Sequence, residues 1–458
     1  TVSLIDTGDN TMTGGRIIVA NGNDNTESDL TINAENGGGI TGGSIQIGDT
    51  SYTTSTNDLK ISGSTPIYNL HLVDNGTLNT FKTKIRSLNY LVKNQILIDP
   101  RQELDINGNI LTLQGNLLNY GKLTATPLTP SSQSWQIILN GINDQYLKNY
   151  SSAQNLLEIY SLRIDKTTGN TILGDNVATN SNLKVNEHLE FAPTNTSLID
   201  ANTYSQKVII GPNNSSLGTY QFSRNGLGHI WGTLSRYIPN GNQNVDFYVG
   251  SDTLASYRPV SLLITGSSNT DGYIDVTPHN VSHPDISNSG LLIATTIPRY
   301  WTVVPSSTQS FALGSGGKYQ IGTTFLNPAD IPSGASLNLF EHRLFSPAYP
   351  AAGAWSQPSF VSNSSTNVVS KDNIIWGDFV VGEPNTVSFY SINNGNWQDI
   401  NSWSLSGYTT NNPPTRIPNQ STDIVHIGNG KTITLVDDGT YPNIRNVIVE
   451  KYNNLPGY

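Results

Sequence analysis

The sequence predicts an all-β protein in which a parallel β-solenoid is followed by a β-sandwich and by the start of a second β-solenoid. Composition is the first reason: 42 of the 458 residues are Gly, one is Met and only 13% are charged, so good helix formers are scarce. The second reason is that apolar residues come in short bursts of strand length. The third is a change of sequence texture near residue 219, with a return near residue 387.

The first solenoid is predicted over residues 1–218. Residues 104–125 are representative and read LDINGNILTLQGNLLNYGKLTA, with short apolar bursts between Asn-Gly and Gly-Asn steps. Alternation with period two buries one face of a strand, and Asn-Gly supplies the positive φ angles of tight corners. An antiparallel meander is the alternative. Stacked parallel coils are favoured because the bursts are short and closely spaced, and because corner Asn, Ser and Thr residues can form side-chain ladders.

An internal echo supports a recurring strand. Similar residues lie 92 positions apart and pair Tyr68 with Tyr160, Leu70 with Leu162, Leu72 with Ile164, Leu91 with Leu183, Gln95 with Glu187 and Leu97 with Leu189. A weaker echo is NVIVE at 446–450. Self-similarity of this kind is typical of repeat architectures, here with a recurring strand rather than identical units.

Residues 219–386 are predicted to form an immunoglobulin-like β-sandwich. Strand signals are longer here, aromatic residues and Pro increase, and Gly, Pro, Asn and Ser separate the strands. Examples are VDFYVG (245–250), YRPVSLLIT (257–265), RYWTVV (299–304) and IIWGDFVVG (374–382).

Residues 387–458 are predicted to be the start of a second, incomplete solenoid. The stretch TDIVHIGNGKTITLVDDGTYPNIRNVIVE at 422–450 has the short bursts of the first region. Solenoid coils need neighbours to bury their open ends. We therefore expect this solenoid to continue beyond Tyr458 in a longer polypeptide.

Several motifs resemble a known group of proteins. They are GGGITGGSIQIG (37–48), STPIYNLHL (64–72), GHIWGTLSRYI (228–238), YRP (257–259), PRYW (298–301), GDFVVGE (377–383) and SFYSINNGNWQDINSWS (388–404). Together they resemble the large multi-domain surface adhesins and gliding-associated proteins that Bacteroidota secrete by the type IX pathway. The resemblance implies that PRYW and GDFVVGE mark the sandwich module and that GNWQDINSW opens a new solenoid. It also implies an extracellular location on the bacterial cell surface.

Composition limits the chemistry and the partners. The absence of Cys excludes a disulfide framework, a thiolate zinc site and a cysteine nucleophile. A net charge of −10 provides no basic patch for nucleic acid, and no apolar run approaches the roughly 20 residues of a membrane span. We expect no cofactor. The expected partners are neighbouring modules of the same chain, with surface glycans or other cell-surface proteins as further partners.

Trp397 and Trp403 are the candidate site residues. Two flat aromatic rings six positions apart could form a stacking platform for a glycan. The alternative, which we favour, is that the two rings cap the open end of the solenoid that begins there, because an exposed core end has to be covered.

For three other residues, a structural role is the simplest explanation. Trp301 lies in a predicted core strand, and the neighbouring Arg299 is expected to pair with a carboxylate. His229 in GHIWG has no acid–base partner near it in the sequence.

One histidine pair resembles a metal site. His279 and His283 in PHNVSHP have Asp275 and Asp285 nearby, and two His with an Asp can bind zinc. The i, i+4 spacing places ligands together only on a helix, however, and two Pro residues predict a loop here.

Acidic turns could hold a structural calcium ion, for example DTGDN (6–10), NGNDNTESD (21–29) and VDDG (436–439). None follows the spaced pattern of a dedicated calcium loop, and Asp and Asn occupy turns for conformational reasons alone. Glycoside hydrolysis needs two facing carboxylates, whereas Asp437 and Asp438 are adjacent and would point to opposite faces of a strand.

The sequence therefore predicts a non-catalytic structural or spacer segment of a long extracellular surface adhesin or filament. A glycan-binding module on the β-sandwich is the alternative, and a β-helix polysaccharide lyase or hydrolase is the third hypothesis. A fold alone does not choose between them.

Overall fold

The chain is all-β. A computed structural model describes residues 2–6, 12–20, 28–34, 40–49, 58–74, 81–87, 89–124, 135–211, 221–307, 309–346, 353–409, 412–414, 416–419, 423–436 and 442–450. Strands account for 49% of these described residues and helical turns for 4%. The pattern of contacts divides the chain into two compact units. The first comprises residues 1–280, 300–325 and 371–378, and the second comprises residues 281–299, 326–370 and 379–458.

Most strands up to residue 231 are short. They are β1 (Val2–Asp6), β2 (Arg16–Val19), β3 (Leu30–Ala34), β4 (Ser44–Ile47), β5 (Leu59–Gly63), β6 (Ile67–Leu72), β7 (Phe81–Ile85), β8 (Asn89–Ile98), β9 (Gln102–Asp105), β10 (Ile110–Leu113), β11 (Asn116–Asn119), β12 (Lys122–Thr124), β13 (Ile137–Leu139), β14 (Gln145–Asn149), β15 (Leu157–Ile164), β16 (Thr171–Leu173), β17 (Leu183–Phe191), β18 (Ile199–Asp200), β19 (Lys207–Ile210), β20 (Gln221–Arg224) and β21 (Ile230–Trp231).

The remaining strands lie after Gly232. They are β22 (Thr233–Ile238), β23 (Gln243–Phe247), β24 (Val249–Gly250), β25 (Val260–Thr265), β26 (Gly272–His279), β27 (Tyr300–Pro305), β28 (Lys318–Thr324), β29 (Glu341–Ser346), β30 (Ala354–Ser356), β31 (Ser359–Asn363), β32 (Asn367–Asn373), β33 (Gly377–Gly382), β34 (Ser388–Ser391), β35 (Gly395–Asn396), β36 (Trp403–Ser404), β37 (Ile424–Ile427), β38 (Ile433–Thr434) and β39 (Asn446–Val449). Single 3₁₀ turns lie at Leu254–Ser256, Ile286–Asn288, Ile293–Thr295, Leu337–Leu339 and Ile400–Ser402. Among the described residues, no helix is long and apolar enough to span a membrane.

Parallel pairing organises the first unit. One sheet has the strand order β1-β3-β5-β7-β9-β12. A second series of parallel pairs begins at β2 and places Ile45 beside Leu70, Leu70 beside Ile96, and Ile96 beside Leu117. Leu117 then lies beside Leu147. Each partner comes 21 to 30 residues later in the chain, and these five side chains are at most 3% exposed.

The inward-facing positions that the alternation predicts are buried. Leu70, Leu72, Leu162 and Ile164 are all 0% exposed. The last two belong to another column of stacked side chains, because Ile137 pairs with Leu162 on the next strand. Period-two alternation therefore identifies the inward face correctly, and the paired strands are parallel as expected.

The echo at 92 residues marks a repeated irregularity in pairing. The pair β6 and β8 shifts register at Tyr68, where one residue of β6 lies opposite two of β8. The pair β15 and β17 shifts register in the same way at Tyr160. Both shifts are β-bulges, which bend a strand and increase its twist. In each case the long strand that follows, β8 or β17, pairs with two separate strands of the next turn.

On β8 and β17, which carry the second half of the echo, structurally equivalent residues are 93 positions apart rather than 92. Leu70 lies beside Ile96, and Leu162 lies beside Leu189. The structural counterpart of Leu189 is therefore Ile96, at an offset of 93, and the predicted match of Leu97 with Leu189 is wrong. A shift of one residue moves a side chain to the opposite face of the strand, so a half-buried Leu97 was matched with a buried Leu189.

Parallel pairing continues past residue 219 in the first unit. The pairs β17–β20, β18–β21, β19–β22 and β21–β24 are all parallel. Antiparallel pairing begins where β22 meets β26, and β26 then pairs with β27. A separate antiparallel series joins β23, β25 and β28.

The second unit contains both kinds of pairing. Strands β29 and β30 are antiparallel. Strand β34 pairs in parallel with β37, and β37 pairs in parallel with β39, while β36 lies antiparallel on the other side of β34. The short strands β35 and β38 form a further parallel pair. Parallel pairing therefore returns in the residues where the solenoid texture returns.

We predict that shortening one inward side chain destabilises the first unit strongly. Leu162→Ala should reduce the free energy of unfolding by about 2–5 kcal/mol, because a cavity replaces a fully buried side chain. The matched control is Ile142→Ala, since Ile142 is 68% exposed and its loss should change stability by less than about 0.5 kcal/mol. Urea denaturation followed by circular dichroism measures both, and equal effects would contradict the assigned inward face.

Candidate functional site

Trp397 and Trp403 pack against each other in the second unit. Their ring centroids are 5.1 Å apart at an interplanar angle of 69°. The Trp403 Nε1 donates to the Trp397 carbonyl at 3.0 Å, and the Trp397 Nε1 donates to the Pro418 carbonyl at 2.8 Å. Both polar atoms of the indole rings are therefore satisfied within the protein, as buried tryptophans require.

The two rings form part of an apolar core. Trp397 is 4% exposed and Trp403 is 0% exposed, and they cluster with the buried Phe389 and Val425. Phe389 and Val425 are themselves neighbours on the paired strands β34 and β37. The sequence from 395 to 404 brings the rings there because a 3₁₀ turn, whose start is capped by the Asp399 carboxylate, separates β35 from β36. Neither ring offers a face on which a sugar could stack in this structure.

The predicted histidine pair has separate local partners. The His279 ring stacks on Tyr300 with centroids 4.0 Å apart, and its Nε2 lies 3.0 Å from the Thr302 hydroxyl. His283, in the second unit, is 3% exposed, and its ring lies 5.0 Å from that of Trp355. The His283 Nδ1 accepts from the Asp285 amide at 3.1 Å.

The two aspartates beside these histidines are also engaged. The Asp275 carboxylate lies 2.8 Å from the Lys207 ammonium, and the Asp285 carboxylate accepts from Trp355 Nε1 at 2.9 Å. Within the described ranges, no group of three or more His, Asp or Glu side chains is arranged to hold a metal ion. Asp437 and Asp438 lie outside the described residues, as do most residues of the acidic turns at 6–10 and 21–29.

Arg299 and Trp301 have the surroundings that the sequence predicts. The Arg299 Nε lies 2.9 Å from the Asp330 carboxylate, which is buried, so this arginine has its expected carboxylate partner. Trp301 is 1% exposed, and its Nε1 donates to the Arg258 carbonyl at 3.3 Å. Both residues are therefore accounted for by packing and pairing.

His229 is a buried structural histidine. It is 0% exposed, and its Nε2 donates to the Ser251 carbonyl at 2.8 Å. Gly250 lies close to the His229 ring. A residue with a side chain does not fit at this position, because a Cβ on Gly250 would lie 2.6 Å from the imidazole. Burial lowers the pKa of His229 from 6.5 to about 4.

Buried polar networks are the features that the sequence did not reveal. The Asn119 Nδ2 donates to the Asn149 Oδ1 at 2.8 Å, and both side chains are 0% exposed. This is an amide pair between two parallel strands, of the kind that the Asn-rich composition predicts in general. The composition cannot say which Asn residues take part, because that depends on the register of β11 with β14.

Lys166 is the centre of a second buried polar network. Its buried ammonium donates to the Gly141 carbonyl at 2.6 Å, the Asn143 carbonyl at 2.8 Å and the Gln145 Oε1 at 2.8 Å. Three acceptors match the three donors of an ammonium group. Burial lowers the pKa of Lys166 from 10.5 to about 8. No sequence signal distinguishes this lysine from an exposed one in a loop.

Comparison with known proteins finds no match among family models, curated proteins or solved structures.

We predict that Trp403 supports the second unit rather than a ligand. Trp403→Ala should reduce the free energy of unfolding of this unit by about 3–5 kcal/mol, because a large buried ring is lost. Leu405→Ala is the control, since Leu405 is 37% exposed. Circular dichroism during urea denaturation measures both variants. An unchanged unfolding transition for Trp403→Ala would be incompatible with a core role.

We predict that His229 makes the first unit less stable in acid. The unfolded chain binds a proton near pH 6.5 and the folded chain only near pH 4, so stability from this group falls as the pH is lowered through that window. The loss should reach about 3 kcal/mol at about 1.4 kcal/mol per pKa unit. His229→Gln keeps an N–H donor for the Ser251 carbonyl but does not titrate. Its unfolding free energy, measured between pH 7 and pH 4, should therefore fall by less than that of the unmodified protein; parallel curves would refute the assignment.

Proposed function

We propose that the chain is a non-catalytic structural segment of a long extracellular adhesin or filament. In this proposal the parallel strands of the first unit form a β-solenoid. The antiparallel strands that follow belong to an immunoglobulin-like sandwich, and residues from 387 onward begin a second solenoid.

One observation carries the proposal. Eight successive parallel pairings connect β2, β4, β6, β8, β10, β13, β15, β17 and β20. At a strand spacing of about 4.8 Å these pairings extend about 38 Å. A rod of stacked strands resists extension along its axis through many backbone hydrogen bonds, and such rigidity suits a spacer.

The inward side chains make the rod continuous. In one column Leu111, Ile137, Leu162 and Leu189 follow one another on successive strands, and none is more than 3% exposed. Each turn contacts only its neighbours, so stability is added turn by turn. This arrangement supports a module whose length, rather than a cleft, is its useful property.

The resemblance to Bacteroidota surface proteins supports the proposed location. We place the segment outside the cell, on the bacterial surface, after export by the type IX pathway. Its partners in this proposal are the neighbouring modules of the same chain, with surface glycans or other cell-surface proteins at the distal regions. A chain without Cys has no thiol to oxidise in that environment.

Single-molecule pulling on the full chain, held at its two ends, tests the spacer role. We expect the first unit to extend in steps of one turn, each releasing roughly 9 nm for about 26 residues at 3.3–3.6 Å per residue. Leu162→Ala should lower the force of the steps nearest that turn and leave the others unchanged. Smooth extension at low force, without steps, would remove the mechanical basis of the proposal.

Glycan binding is the second candidate function. The third hypothesis, a polysaccharide lyase or hydrolase, has a direct test. Incubation of the full chain with neutral and acidic polysaccharides should leave their chain lengths unchanged. Depolymerisation that a single Asp substitution abolishes would overturn the structural proposal.

A further inference from the structure

Five side chains near one register shift of the first unit form a mixed aromatic and charged group. We name it the Trp135 patch, and it consists of Trp135, Arg163, Asp165, His188 and Glu190. Arg163 and Glu190 are partners on the adjacent strands β15 and β17. Their chain neighbours Leu162 and Leu189 are buried inward. Because side chains alternate along a strand, Arg163 and Glu190 face outward.

An indole ring lies over this outward face. Trp135 is half-buried, and its ring centroid is 4.4 Å from that of His188 at an interplanar angle of 50°. The Arg163 guanidinium is 6.0 Å from the Trp135 ring centroid. The His188 Nε2 in turn lies 3.0 Å from the Ser223 hydroxyl on β20. The indole is therefore positioned by groups from three different strands.

The arginine of the patch is held loosely between two carboxylates. Its Nη1 lies 3.4 Å from the Glu190 Oε2, and its Nη2 lies 3.4 Å from the Asp165 Oδ2. The Glu190 Oε1 accepts from the Asn225 Nδ2 at 2.7 Å. Within the described part of the chain, the buried Nε of Arg163 has no hydrogen-bond partner. Both ion pairs are long, and Arg163 and Asp165, at 27% and 29% exposed, are the charged members of the patch that a ligand can reach.

The contribution of these side chains to the stability of the fold does not explain why they occur together. The Arg163–Asp165 ion pair, whose side chains are 27% and 29% exposed, contributes at most about 1 kcal/mol. A half-buried indole leaves apolar surface in water. Other outward positions on neighbouring strands hold small polar pairs, as Thr31 and Ser62 do at 2.9 Å, or ion pairs, as Lys82 and Glu103 do at 3.1 Å.

We infer that the Trp135 patch is a binding site for a neutral glycan. A pyranose ring packs against the indole of Trp135, hydroxyl oxygens accept from Arg163, and hydroxyl groups donate to Asp165, while the buried Glu190 holds the guanidinium from the protein side. One cation and two carboxylates give the patch a local charge of about −1, and the whole chain carries −10. This charge disfavours uronic acid and sulfated polymers, so neutral sugars are the ligand class.

This inference is independent of the spacer proposal. A rod can carry a glycan site on its flank, and a glycan site does not require a rod. It also moves glycan recognition away from residues 219–386, where the sequence placed that alternative. The outcome of the pulling experiment therefore does not decide the outcome of the binding experiment.

An array of neutral and anionic oligosaccharides, probed with the full chain, tests the site. We expect binding to at least one neutral glycan, with an affinity that falls at least tenfold in Trp135→Ala. Trp231→Ala is the matched control, because Trp231 is another half-buried indole of the first unit and should bind like the unmodified protein. Thermal unfolding of each variant shows whether it is folded.

A second variant keeps the test decisive. Arg163→Gln retains a hydrogen-bond donor and much of the aliphatic stem but loses the charge and the fork of donors, so its affinity should fall at least tenfold in a folded protein. The inference would be overturned if the unmodified chain bound no neutral glycan, if it preferred uronic or sulfated glycans, or if Arg163→Gln bound fully. Equal loss in Trp231→Ala would also overturn it.

Discussion

In-register parallel pairing is the constraint on which the first unit depends. Each strand must place its inward residue directly beside the inward residue of the strand it pairs with, as Ile45, Leu70 and Ile96 do. A slip of one residue would turn every apolar side chain outward. Corners must then fit the fixed spacing of the strands. Glycine meets this need at Gly141, where a Cβ would lie 1.9 Å from the Gln114 carbonyl of the preceding turn.

The same constraint explains why large side chains collect where pairing changes. Around β20 and β22, where parallel pairing gives way to antiparallel pairing, the Arg224 guanidinium lies 3.8 Å from the Tyr257 ring centroid. Phe222 and Tyr248 pack there with centroids 4.8 Å apart. In the second unit, Trp397 and Trp403 are the large side chains beside the paired strands β34 and β37. In both units, aromatic rings therefore lie beside the strands at which parallel and antiparallel pairing meet.

The local sequence pattern predicts much of this structure, whereas the remaining features depend on the register between paired strands. Alternation identified Leu162 and Ile164 as inward, and composition identified an all-β chain with ladders of corner amides. Sequence could not place the bulges at Tyr68 and Tyr160, because a bulge depends on how two strands align, so half of the echo was matched one residue out. It also missed the Trp135 patch, whose members approach only after β13, β15 and β17 have stacked.

Distance measurement between outward positions of successive turns tests the stacking most directly. The chain has no Cys, so spin labels can be introduced at Thr112 and Ser223 without removing native thiols. Four parallel pairings separate these positions, which predicts about 19 Å between backbones at about 4.8 Å per strand. Pulsed electron paramagnetic resonance should give a single narrow distribution consistent with that separation. A broad distribution, or a separation beyond about 30 Å, would contradict the in-register parallel stack.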